Sequence, residues 1–132
     1  MAFVHDMIAT QKKLTELGHT VLIPIGSEPH LTDKGFVDNL EDNLQFCIDN
    51  NVMKDNFDQV ATCDAILVLN KKRNGIEGYI GISALMEMAI AYYTGKKIFL
   101  LHNVPHHSEH RWAQEVGIMQ PIVIQGDLHN IT

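Results

Sequence analysis

Glu87 is the only charged residue between Gly78 and Gly95, and its neighbours are Leu85, Met86, Met88, Ala89, Ile90 and Ala91. An ionised carboxylate is expensive to bury among such side chains. It either finds partners or holds its proton to higher pH, which is how reactive carboxyl groups are tuned. Two plainer readings stand beside that one. Glu87 could lie on a single solvated stripe, or it could hydrogen-bond to the backbone at the Gly81 turn. The residues Gly81, Ile82 and Ser83 open the same segment. If it is a helix, its first N–H groups and its dipole favour a phosphate or a carboxylate there.

Other candidate groups lie on either side. Lys71, Lys72 and Arg73 are three of the ten basic residues of the chain, placed together after an apolar run. In an acidic protein such a cluster either attracts an anionic ligand such as a phosphate or is simply a solvated loop. His102, His106, His107 and His110 crowd one segment with Glu109. His106 and His110 have the spacing of helical metal ligands, but Pro105 and the lack of a third well-spaced ligand favour a polar loop, so no metal is expected. Asn70 closes the run Asp64–Asn70 and is placed to bond a sugar hydroxyl or orient a carboxylate, whereas Asp64, at the other end, reads as a cap. No nucleophile elbow, P-loop or Cys-x-x-Cys occurs, and the glycines at 75, 78 and 81 do not form a dinucleotide fingerprint.

The elements that would hold these groups follow from periodicity. Phe3, Val4, Met7, Ile8, Leu14 and Leu17 form a helical stripe stopped by Gly18. Thr20–Ile25 has strand character, with Pro24 placing its end at an edge. Gly26–Lys34 is loop chemistry. Val37, Leu40, Leu44, Cys47 and Ile48 mark a second amphipathic helix whose other face carries Asp38, Glu41, Asp42 and Asp49. A turn or two of helix is expected through Phe57 and Val60. Asp64–Asn70 reads as a strand buried on both faces, Lys71–Tyr79 as a loop, and Ser83–Thr94 as a buried helix closed by Gly95. Ile98–Leu101 is a further buried strand. A His-rich loop, a short helix around Trp112 and a last strand at Pro121–Ile124 complete the chain. This alternation predicts an α/β domain with a parallel sheet, whose ligands bind beyond the carboxyl ends of the strands, at Ile25–Ser27, Asn70–Lys71 and His102–Asn103. Folds of this kind open with a strand, whereas this chain opens inside its first helix. Either that strand is absent or the natural reading frame begins upstream.

Length and composition set the outer limits. The 132 residues suggest one domain, residues 1–132, and a hydrophobic share of 45% with 20% charged is ordinary globular usage. A net charge of −6 argues against tracking nucleic-acid phosphates. Cys47 and Cys63 are too few for a disulfide scaffold and read as core thiols. No signal-peptide pattern opens the chain, so a cytoplasmic location is expected. The stretch from Gly78 to Gly95 reaches the lower limit for a membrane span. Its three glycines and the central Glu87 instead make it a buried helix, and no membrane association is expected.

Three segments together resemble the nucleoside 2-deoxyribosyltransferase-like superfamily: Asp64-Ala-Ile-Leu-Val-Leu-Asn70, Tyr79-Ile-Gly-Ile-Ser-Ala-Leu-Met-Glu-Met-Ala-Ile-Ala91 and Gly95-Lys-Lys-Ile-Phe-Leu-Leu101. Leu14–Pro24 also fits that family's first helix and second strand. The resemblance implies a Rossmann-like (flavodoxin-like) open parallel sheet of four to five strands, helices on both faces, and no cofactor. It further implies that Glu87 attacks the anomeric carbon of a deoxyribose, as in a retaining glycosidase, and that water or a second base then releases the sugar. Asn70 and Tyr79 would orient the sugar or carboxylate. Gly81 and Ser83 would hold the 5′ end, Lys71, Lys72 and Arg73 would suit a 5′-phosphate, and Ser108 or His107 from a neighbouring chain would reach it. Partners implied are a nucleoside or nucleotide and a second copy of the chain as a homodimer. The chain departs from the family pattern in lacking its first strand, in reading Glu77-Gly-Tyr-Ile-Gly81 where many members carry an Asp, and in having Ile82-Ser83 for Gly-Thr. A non-catalytic nucleotide-binding module is the alternative expectation.

Overall fold

The computed structural model describes residues 4–24 and 40–132. It divides into two compact units, Met1–Asp58 and Gln59–Thr132. Phe3, Ile25–Ser27, Val37 and Asp38 lie outside the described residues.

In the first unit, α1 is Val4–Glu16, with Val4 and Leu14 buried. Gly18, at φ 96°, takes the left-handed conformation that ends it, with the N–H of His19 bonded back to the carbonyl of Leu14 (3.0 Å). Beyond it, residues 21–24 form no strand, contrary to expectation. The Nε2 of Gln11 donates to the carbonyl of Val21 (2.8 Å), tying this segment to α1 instead of to a ladder. The next helices are α2, Leu40–Asp49, and α3, Val52–Thr62, which is longer than the turn or two its sequence suggested. Leu40, Leu44 and Ile48 share one stripe of α2 as expected, yet they are exposed.

The second unit holds the sheet. The strands β1 (Ala65–Val68), β2 (Lys97–Leu100) and β3 (Ile122–Val123) pair in that order, all parallel. Ala65 lies opposite Lys97 and Val68 opposite Leu100, while Phe99 lies opposite Ile122. Between the strands run α4, Ile82–Tyr93, and α5, Trp112–Ile118, and a 3₁₀ turn, Leu128–Asn130, follows β3. The fold is a mixed α/β one with a three-stranded open parallel sheet among the described residues. Its core joins Val60, Ile80, Met88, Ala91, Ile98, Leu100 and Val116.

The central strand is the buried one. Ile98, Phe99 and Leu100 are all buried, whereas every residue of β1 is half-buried. The expectation of burial on both faces therefore holds for β2 and fails for β1. The reason is position, because among the described residues β1 is paired on one side only. The carbonyls of Asp64 and Val68 accept from Lys97 and Leu101. By the alternation of a parallel ladder, the peptide groups of Ala65 and Leu67 then face away from β2.

Among the described residues no helix is long and apolar enough to cross a membrane.

Candidate functional site

The loops that follow β1 and β2 meet at the carboxyl edge of the sheet, and Asn70 joins them. It is 1% exposed, and its side-chain amide is fully engaged with backbone. Nδ2 donates to the carbonyl of His102 (2.6 Å) and, more distantly, to that of Gly78 (3.5 Å). Oδ1 accepts from the N–H of His102 (2.9 Å). A side chain bonded in this way to one peptide's N–H and C=O behaves like one more rung of the β1–β2 ladder. The geometry makes Asn70 a clamp for the loops, and a direct bond to a sugar would require that clamp to open.

The loop after β1 is more ordered than its composition suggests. Arg73 and Ile76 exchange both backbone hydrogen bonds (3.1 and 2.9 Å) around Asn74 and Gly75, which have φ of 53° and 75°. These are the residues and dihedrals of a tight two-residue turn. Gly78 then passes so close to the next loop that a Cβ on it would collide with the carbonyl oxygen of Asn103. Only glycine fits, both for space and for its φ of 73°.

Two of the basic residues of this loop have neighbours within it. Lys72 pairs with Glu77 at 3.7 Å across exposed side chains. The Arg73 guanidinium lies 5.9 Å from the centre of the Tyr79 ring. Tyr79 meets Trp112 edge-on with ring centres 6.0 Å apart, and Trp112 also lies 6.0 Å from His110. Sequence reasoning singled out Tyr79 but placed neither Trp112 nor His110 beside it. Their only signal was that the sole Trp follows the loop after a strand expected to end at the ligand edge.

Glu87 sits in the second turn of α4, half-buried. Burial pushes its carboxyl above the usual carboxylate range. The solvated stripe of α4 runs instead through Ile82, Ala89 and Tyr93, so the expectation of Glu87 on that stripe does not hold. At the start of the helix, Gly81 is the N-cap with an extended backbone and no side-chain cap, and Ser83 is exposed in the first turn. The first N–H groups of α4 therefore keep their affinity for an anion.

The His-rich loop forms a local motif. The Nδ1 of His106 accepts from the N–H of Ser108 (3.1 Å) and lies 2.7 Å from its hydroxyl, while the His106 and His107 rings stack with centres 4.2 Å apart. Ser108 is thus held by its own turn. Among the described residues no group of three or more His, Cys, Asp or Glu is arranged to hold a metal.

A cavity of about 450 Å³ lies between the two loops. Its walls include Ile76, Glu77, Val104, Pro105, Glu109 and His110, and Glu87 is not among its lining residues.

No protein-family model, curated protein or solved structure matches the chain.

Proposed function

We propose that this protein is an N-glycosidase or deoxyribosyltransferase acting on a deoxynucleoside or its 5′-monophosphate, with Glu87 as nucleophile on a Rossmann-like domain. One observation carries the reading: a half-buried carboxyl with a raised pKa lies in the second turn of a helix whose uncapped N-terminus follows a strand of a parallel sheet. A carboxylate held in apolar surroundings is a stronger base, and a stronger nucleophile, once it loses its proton. Its attack on C1′ forms a glycosyl ester as the C1′–N bond breaks, and the electron pair leaves with the base, which takes up a proton. Water then hydrolyses the ester, or a second base intercepts the sugar. Ser83 and the open N–H groups of α4 suit the 5′ end. Lys71, Lys72 and Arg73 raise the local potential for a phosphate, and Tyr79 offers a ring edge beside them. The reading includes a cytoplasmic protein working as a homo-oligomer.

The competing reading, a nucleotide-binding module without turnover, is favoured by the cavity whose walls do not include Glu87. The deciding experiment incubates the native protein and Glu87→Gln with a panel of ribo- and deoxyribonucleosides and their 5′-monophosphates. Free base is then measured by chromatography. Base from the native protein alone supports the glycosidase. Saturable binding with no base from either protein supports the module.

A further inference from the structure

A base leaving C1′ takes the bonding electron pair with it, and departs far more readily when a proton arrives on one of its own atoms. Glu87 cannot give that proton, because its oxygen becomes part of the ester. The donor must stand on the other side of C1′, since nucleophile and acid flank the bond that breaks. A cavity that seats the base therefore has no place for Glu87 on its walls. The cavity between the loops after β1 and β2 meets that condition, which a binding module would satisfy as well.

At about 450 Å³ the cavity falls within the roughly 300–1,000 Å³ of small-molecule sites, and its walls divide by chemistry. Ile76, Val104 and Pro105 are apolar and half-buried, as the faces of a flat heterocycle require. Glu77, Glu109 and His110 are the titratable side chains on the walls, and no Lys or Arg lines the space. Two carboxylates repel a phosphate but accept from N–H groups, which nucleobases carry on their edges.

Among these groups His110 is the one fitted to donate. Glu77 is the partner of Lys72 at 3.7 Å, and Glu109 is exposed. His110 is half-buried, with its ring centre 6.0 Å from that of Trp112 and the two rings inclined by 32°. Its carbonyl accepts from the N–H of Ala113 (3.0 Å), which ties it to the start of α5. Imidazole is also the side chain that changes charge near neutral pH, so it can release a proton to a ligand and recover one from solvent. His102, also at this edge, places its Cε1 beside Gly126 in the loop after β3 and does not line the cavity.

We infer that this cavity seats the base and that His110 is its proton donor, an inference that rests on the glycosidase reading. The His110 imidazolium passes a proton to a lone pair on the base as the C1′–N bond breaks. Water then attacks C1′, its hydroxyl joins the sugar, and Glu87 leaves as a carboxylate. The remaining proton goes to solvent, from which His110 is recharged. The test compares leaving groups. Native protein, His110→Gln and Glu87→Gln, each checked for native circular dichroism, are given the common deoxynucleoside 5′-monophosphates. They are also given 4-nitrophenyl 2-deoxyriboside 5′-phosphate, whose nitrophenolate leaves without a proton. His110→Gln is expected to slow base release about 100-fold or more while leaving nitrophenolate release unchanged. Glu87→Gln is expected to stop both. If native protein releases base and His110→Gln loses both activities equally, or loses neither, the role of His110 is overturned and the glycosidase stands. Native protein that releases neither product would overturn the glycosidase reading and this inference with it.

Discussion

Asn70 and His102 hold each other across the carboxyl edge of the sheet by two hydrogen bonds, Nδ2 to carbonyl at 2.6 Å and N–H to Oδ1 at 2.9 Å. This pair fixes the distance between the loops after β1 and β2, and everything proposed for the site depends on it. Asn70→Ala leaves the part-buried N–H and carbonyl of His102 without their side-chain partner, which should cost about 1–3 kcal/mol. Asn70→Asp should be at least as damaging, since a carboxylate cannot donate to the carbonyls of His102 and Gly78. Thermal or urea unfolding of both variants checks this. A loss below about 0.5 kcal/mol for Asn70→Ala would show that the clamp is dispensable.

The two glycines of the β1 loop make a matched comparison. Both have positive φ, 75° at Gly75 and 73° at Gly78, but only Gly78 has backbone in the way. Gly75→Ala is expected to cost about 1 kcal/mol, the ordinary penalty of a left-handed alanine. Gly78→Ala must also displace the Asn103 carbonyl, and should cost more than twice as much. Equal losses in unfolding would contradict the close approach.

Glu87 gives two pH dependences of opposite sign. Its folded-state pKa lies above the ordinary value of 4.5, so between the two values the folded chain holds more protons than the unfolded one. Stability therefore falls as pH rises through that window. Glu87→Gln carries no such penalty. It should melt higher than the native protein at neutral pH, with the gap closing as pH falls through the window. Activity should move the other way, fading as pH falls because a protonated carboxyl cannot attack, with an acid limb centred above 4.5. Melting curves and pH–rate profiles for the same samples check both.

Trp112, the only tryptophan, reports on the Tyr79 and His110 cluster. A deoxynucleoside 5′-monophosphate titrated into Glu87→Gln is expected to change its fluorescence saturably, and Tyr79→Ala should weaken that response. Unchanged emission alongside calorimetric binding would place the ligand elsewhere.

Much of the second unit was legible in the sequence because its signals are local. The apolar run at Ile98–Leu101 and the stop at Gly95 lie within a residue of their expected places, and a short helix holds Trp112. The parallel sense of the sheet followed from alternating strands and helices. What escaped notice depends on contacts distant in sequence. Nothing around Gly78 announces Asn103, and nothing around Tyr79 announces Trp112. The type of Asn70 and its place at a strand end suit a ligand contact and a loop clamp equally. Only its bonds to His102 separate them. The strand expected at Thr20–Ile25 shows the converse, since apolar content alone makes no strand without a ladder to join.

The register of the sheet has a consequence for how the chain reaches this structure. Every rung joins residues separated by a whole helix, Ala65 to Lys97 and Phe99 to Ile122, so no strand can pair with its immediate successor in a quick hairpin. Loop closure must precede reward at each step, which places such a sheet among the slower topologies. During synthesis β1 and the apolar surface of α4 emerge before β2 exists to receive them. Over that interval the nascent chain offers sticky surface with nothing of its own to cover it, and chaperones or a second nascent chain are its nearest recourse.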